Sequence, residues 1–144
     1  MPRSANGPRA ADLLKINDVD LRAAGLSQAI MLALQDLARR TVAGEIPTVA
    51  KLTTLDDESI IQRLTVVRGI GRWTVEMLLM FRLGRLNMLP LDDCGIREGY
   101  AVAFRRREQP TRPALAQHGE RWRPYRSVAS WFLWRALERA RQAK

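Results

Sequence analysis

Cysteine occurs once in the 144 residues, as Cys94, and histidine once, as His118. A single thiol excludes an internal disulfide and an iron–sulfur cluster, and one cysteine with one histidine cannot complete a four-ligand zinc site. Lysine is scarce as well: of 24 basic residues, all but Lys15, Lys51 and Lys144 are arginine. Catalysis must therefore rest on carboxylates, hydroxyls, amines or the backbone, and no cofactor is expected. No run approaches the roughly 18 consecutive apolar residues of a membrane span. The opening MPRSANGPRAADLL also lacks the apolar stretch of a secretion signal. The reading is a cytoplasmic protein without membrane contact.

What is present is positive charge. A formal net charge of +9 and a sequence pI near 11.1 favour a polyanionic partner such as nucleic acid. The arginine skew has a second source, the codon bias of a GC-rich genome, so charge alone leaves the partner open. The length suits one domain with a real core.

Periodicity places helices and no strands. Residues 1–9 carry Pro, Gly, Ser and Asn without apolar spacing and read as a flexible lead-in to a single domain over 10–144. Ile30, Met31, Leu34, Leu37 and Ala38 follow one helix face, between Ser27 as N-cap and Gly44 as terminator. Asp56 or Asp57 caps the next helix, whose face is Ile60, Ile61, Leu64 and Val67. The segment Val75–Phe81 is apolar nearly all round, which predicts a buried central helix. A loop through Pro90 leads to a helix from about Asp93 to Arg106. A last helix runs over about 125–142, with Val128, Ala129, Phe132, Leu133, Ala136, Leu137 and Ala140 along one face. No stretch alternates with period two, so the fold class is all-α.

Two places carry chemistry. Gly69-Ile70-Gly71 stands between two helical segments, where glycine permits positive φ and leaves the backbone uncovered. Amides there, at the start of a helix near Arg72, suit an anion without any side chain. A plain helix–turn–helix is the competing reading. The second place is Asp92-Asp93, twenty residues beyond Trp73 and ahead of a helix. By itself such a pair reads as an N-cap before it reads as a catalyst.

Taken together, Gly69-Ile70-Gly71-Arg72-Trp73-Thr74 and the aspartate pair at this spacing resemble the helix-hairpin-helix and Gly-Pro-Asp superfamily of base-excision DNA glycosylases, and within it 3-methyladenine DNA glycosylase II. The likeness runs from about Leu13 to Leu137, with the hairpin motif over about 57–84 and the catalytic loop and helix over about 85–106. The resemblance implies a monofunctional enzyme that hydrolyses the N-glycosidic bond of alkylated bases in duplex DNA. Asp93 is then the catalytic carboxylate, which leaves Asp92 as the N-cap.

Endonuclease III-like relatives carry a lysine where this chain has Trp73, so water rather than an amine is the implied nucleophile. The family likeness makes Trp73 and Tyr125 base-pocket rings, the latter in Arg121-Trp122-Arg123-Pro124-Tyr125-Arg126. It makes Arg68, Gly69, Ile70, Gly71, Arg72, Thr74, Arg121, Arg123 and Arg126 DNA contacts. It also implies a monovalent cation at the carbonyls near Leu64, Val67 and Gly69.

The likeness also implies helices ahead of Leu13, among them a Gln-rich one that wedges into DNA, and no such motif stands between Met1 and Asp12. A fragment, a compact active variant and a DNA-binding remnant without catalysis are the three explanations. An all-α protein-interaction module with merely compositional arginines is the remaining alternative. Missing helices would expose apolar surface on Val75–Phe81.

Overall fold

The computed structural model describes residues 9–143, so the predicted lead-in lies, except for Arg9, outside the described residues. The chain is all-helical as expected, with no strand among the described residues. One compact unit runs to Val75. It holds α1 (Ala10–Leu13), α2 (Asp18–Ala23), α3 (Gln28–Val42), α4 (Val49–Leu52), α5 (Asp57–Leu64) and the start of α6 (Arg72–Phe81). A second unit begins at Glu76 and holds the rest of α6, α7 (Cys94–Ala103), α8 (Arg112–Gly119), a 3-10 turn (Glu120–Trp122) and α9 (Arg126–Gln142).

Local chemistry starts these helices. Asn17, Ser27, Thr48, Asp56 and Thr111 each accept a hydrogen bond from the backbone N–H three residues on. Each cap satisfies a donor that a helix start leaves without an intrahelical partner, and contributes about 1 kcal/mol. Of the two candidates for α5, Asp56 is therefore the cap.

In the first unit α3 packs on α1 and α2. Its buried stripe is centred on Met31 and Ala38, while Ile30, expected on that face, lies at the stripe's edge and is half exposed. Ile60, Ile61 and Leu64 are buried, as the period of α5 requires, and Val67, just past its end, is buried as well.

In the second unit α7 and α9 form an extensive helix pair around Leu89, Ile96, Tyr100, Leu115 and Leu133. Ile96 and Leu115 are fully enclosed, and each such side chain contributes about 1.5–3 kcal/mol by leaving water. Gly99 is the point of closest approach: a Cβ there would stand 2.1 Å from the Leu133 carbonyl oxygen.

Two expectations about helix faces need correction. α6 is buried along Val75, Glu76 and Leu79, but Met77, Leu78 and Met80 are half-buried and Phe81 is 66% exposed. It is a one-faced helix and not one enclosed all round. For α9 the buried stripe is Ser127, Ser130, Leu133 and Leu137, roughly a quarter turn from the predicted face, and Val128 and Phe132 are exposed.

The reason is polar. Ser127 Oγ donates to the Arg85 carbonyl at 2.6 Å and accepts from Met88 N–H at 2.9 Å, while Ser130 Oγ bonds the Met88 and Arg126 carbonyls at 3.0 and 2.9 Å. These serines fasten the 85–88 loop to the start of α9. Hydropathy has no means of marking them as inward-facing.

Candidate functional site

The hairpin belongs to the first unit, between α5 and α6. Its entry is anchored by Asp36 of α3, whose Oδ2 accepts the Arg68 backbone N–H at 2.9 Å and Arg40 Nε at 3.0 Å. The Arg68 amide first and then the Arg40 guanidinium hold the Asp36 carboxyl below the ordinary aspartate range. Gly69 follows with φ +75°, and a Cβ there would sit 3.0 Å from Ala33 Cβ. Both its conformation and its closeness to α3 therefore require glycine. The Ile70 N–H closes the bend on the Val67 carbonyl at 3.1 Å. Gly71 is exposed, with nothing within 4 Å of where its Cβ would be.

Arg72, at the start of α6, forms a two-pronged pair with Glu58 near the start of α5, at 3.1 and 2.9 Å. That pair clamps the two arms of the hairpin, and Arg72 holds Glu58 below its ordinary carboxylate range. Arg68 and Thr74 are exposed, Ile70 is half-buried, and Trp73 is 48% exposed. The carbonyls of Leu64 and Val67 each accept one N–H within the bend. As neutral oxygen donors they and the Gly69 carbonyl are of the type that suits a monovalent cation.

The carboxylate belongs to the second unit. The loop 85–88 is fixed by Ser127 and Ser130, and by Arg126, whose Nε donates to Asn87 Oδ1 at 2.7 Å and Nη2 to the Asn87 carbonyl at 3.0 Å. Buried Pro90 then accepts the Asp93 N–H at 3.2 Å, which turns the chain into α7. Asp93 itself is the N-cap: its Oδ1 accepts the Ile96 N–H at 2.8 Å. The expectation that Asp92 caps is thus corrected, because the Pro90 turn puts Asp93 in the extended conformation a cap needs (φ −73°, ψ 115°), while Asp92 pairs with Arg112 at 3.0 Å. Trp134 Nε1 donates to the same Asp93 Oδ1 at 3.0 Å. The residue is half-buried and so reachable from solvent.

The arginines of the 121–126 segment differ in state. Arg121 is exposed. Arg123 forms a two-pronged pair with Glu120 at 2.6 and 3.2 Å. Arg126 is largely covered and held by Asn87 and Glu120. Tyr125 is 59% exposed and lines an open groove of about 420 Å3 with Phe104, Trp122 and Phe132.

The predicted residues thus fall into two groups. Arg68 through Thr74 lie together in the first unit, and Asp93, Arg121, Arg123, Tyr125 and Arg126 lie in the second. Sequence reasoning missed Trp134, Gly95, Asn87, Ser127 and Glu120. Trp134 is 41 positions from its partner, and no local pattern marks such a contact.

No family model matches the chain. It is 41% identical over 133 residues to DNA-3-methyladenine glycosylase 1 of Schizosaccharomyces pombe, covering 90% of this chain and 58% of the relative. It is 33% identical over 131 residues to the putative DNA-3-methyladenine glycosylase YfjP of Bacillus subtilis, covering 91% and 45%.

Among solved structures, the S. pombe enzyme Mag1 in complex with abasic DNA matches with a TM-score of 0.82 at 39% identity, over 88% of this chain and 62% of that one. The Bacillus halodurans DNA-3-methyladenine glycosidase matches at 0.81 and 32% identity, over 90% and 59%. The chain spans about half the length of the curated relatives it matches.

Proposed function

From its similarity in sequence and fold to DNA-3-methyladenine glycosylases, we propose that this chain is a member of their family and a monofunctional DNA glycosylase of base-excision repair, hydrolysing the N-glycosidic bond of alkylated bases in duplex DNA. The observation that carries the reading is Asp93, a carboxylate set at the N-terminus of α7 by the Ile96 amide and the Trp134 indole. On this reading residues 57–84 grip the duplex, residues 85–106 deliver the carboxylate, and the protein works in the cytoplasm.

The chemistry needs such a group. When the C1′–N bond breaks, its electron pair leaves with the base and positive charge develops on the sugar, which a fixed carboxylate stabilises. Water then supplies hydroxide to C1′, and its proton passes to Asp93 or to solvent. An alkylated purine already carries positive charge, so it leaves without a strong acid. With a tryptophan at position 73 no amine attacks the sugar there, and the product is an abasic site in an unbroken strand. The exposed Trp73 ring favours a cationic base over a neutral one by about 0.5–2 kcal/mol, and Tyr125 offers a second exposed ring.

Main-chain amides at Gly69 and Gly71 hold a DNA phosphate without reading sequence, with Arg68, Ile70, Arg72 and Thr74 beside them. A monovalent cation on the Leu64, Val67 and Gly69 carbonyls would add positive charge to that grip. Arg121 and Arg123 contribute to the field that draws DNA, while Arg126 acts through the 85–88 loop it holds.

The test is release of methylated purines from alkylated duplex, with strand breakage only after hot alkali. Asp93→Asn is expected to slow release by at least about 100-fold with duplex binding retained. Binding without release by the wild-type protein would instead favour a non-catalytic hairpin DNA-binding module.

A further inference from the structure

We propose that Trp134 is a positioning residue for Asp93, and that Gly95 is glycine so that the indole can reach it. The proposal rests on the reading of Asp93 as the catalytic carboxylate. Three observations in the second unit support it.

Trp134 Nε1 and the Ile96 amide converge on one carboxylate oxygen, Oδ1, at 3.0 and 2.8 Å. The backbone bond alone makes Asp93 a cap. A second donor from α9, on a different element, sets the rotation of the carboxylate about its own side-chain bonds. Two directional donors on one oxygen define a plane that one donor leaves free to turn.

The indole is itself held. Its ring lies against Phe81 at 5.9 Å between centroids with the planes 26° apart, and it packs against the Leu89–Ile96–Leu133 core. A carboxylate tied to a rigid ring is tied to the framework of the unit, as preorganisation at a reacting centre requires.

Gly95 is the third observation. A Cβ there would stand 3.0 Å from Trp134 Cδ1, 3.2 Å from Trp134 Nε1 and 3.1 Å from Asp93 Oδ1. Gly95 lies in the first turn of α7 with no positive φ, so backbone conformation does not demand glycine there. Space for the indole–carboxylate bond does. A side chain at this position would press on donor and acceptor together.

The experiment compares single-turnover base release and duplex binding for wild type, Trp134→Phe, Gly95→Ala, the double variant and Asp93→Asn. Trp134→Phe keeps an aromatic ring and removes the N–H donor. We expect release to slow about 10- to 100-fold, in line with misplacement of a catalytic group, with duplex Kd within about twofold and the melting temperature nearly unchanged. Gly95→Ala should slow release too, and adding it to Trp134→Phe should cost little more, since coupled residues are not additive.

A purely packing role for Trp134 would give additive losses and no selective effect on the rate. An N–H resonance of the Trp134 indole that shifts in Asp93→Asn, while those of Trp122 and Trp131 hold still, reads the bond directly in the folded wild-type and Asn proteins. It decides the matter even if Trp134→Phe does not fold.

Loss of release in Asp93→Asn with a wild-type rate in Trp134→Phe, or an unmoved indole resonance, overturns the positioning role and leaves the reading of Asp93 standing. A wild-type rate in Asp93→Asn, or no release by the wild-type protein, overturns that reading and the proposal with it.

Discussion

The bend at Gly69–Gly71 and the turn at Pro90–Asp93 both deliver the chain into a helix N-terminus, and they do so by opposite means. At the bend the side chains mainly hold one another, Asp36 with Arg40 and Glu58 with Arg72, with one tie from Asp36 to the Arg68 backbone N–H, and Gly71 leaves the backbone uncovered. At the turn the backbone is held by the buried Ser127 and Ser130 and the largely covered Arg126, and what is presented is a side chain, Asp93. A backbone-borne site tolerates exchange of its neighbours but not an added Cβ. A side-chain-borne site depends on the packing behind it.

The largest test of that contrast is Gly99→Ala. Its Cβ would meet the Leu133 carbonyl, a main-chain atom unable to swing away, so α7 and α9 must part. A loss of about 3 kcal/mol or more is expected in urea unfolding, and a wild-type midpoint would show the helix pair to be far more pliable than its geometry implies.

Ser127→Ala comes next. It leaves the Met88 N–H, buried in the fastened loop, without its acceptor, which costs about 1–3 kcal/mol. Base release should fall as well, because this loop leads to Asp93. Unchanged release with lowered stability would separate the strap from the carboxylate.

At the bend the effect is smaller and of another kind. Gly69→Ala is expected to cost about 1–2 kcal/mol from its positive φ, with the 3.0 Å contact to Ala33 adding to it. Gly71→Ala has open space around it and should leave stability within about 0.5 kcal/mol. Its duplex affinity should nevertheless drop several-fold, because a methyl group would stand where the phosphate approaches. Equal affinities for Gly71→Ala and wild type would remove the bend from the DNA interface.

Mild acid should separate the two units most subtly. His118 in the second unit shares a hydrogen bond with Tyr100 Oη at 3.2 Å and stacks edge-on with Phe104 and Trp122. Desolvation first, then the charges of Arg121 and Arg106, lower its pKa. A lowered histidine binds its proton more weakly folded than unfolded, so its contribution is complete above about 6.5 and is lost as pH falls through and below that value. Asp36 in the first unit is also lowered, and its contribution persists until pH falls into and below the ordinary aspartate range near 4. Hydrogen exchange at pH 5.5 should therefore loosen Leu115 before Ile61. The reverse order would contradict these assignments.

Much of the framework was legible in the sequence. The cap Ser27, an aspartate cap at 56 or 57, the stop ahead of Gly44, the buried face of α5 and the glycine bend at 69–71 all follow from residues within a turn of one another. The aspartate pair was located correctly as a loop-to-helix transition. Which member caps was not legible, since the answer turns on the Pro90 hydrogen bond at the Asp93 amide and on the extended conformation of Asp93 beyond it.

By itself, then, the sequence determined an all-helical, strongly basic chain with a phosphate-suited bend and an acidic helix start, because helix capping, glycine conformation and charge are properties of near neighbours. Tertiary structure alone decided that α9 turns its serines inward and its Phe132 outward, and that Trp134 comes to rest on Asp93. Those outcomes depend on satisfying polar groups across 40 or so residues of intervening chain, where hydropathy of either segment carries no information about the other.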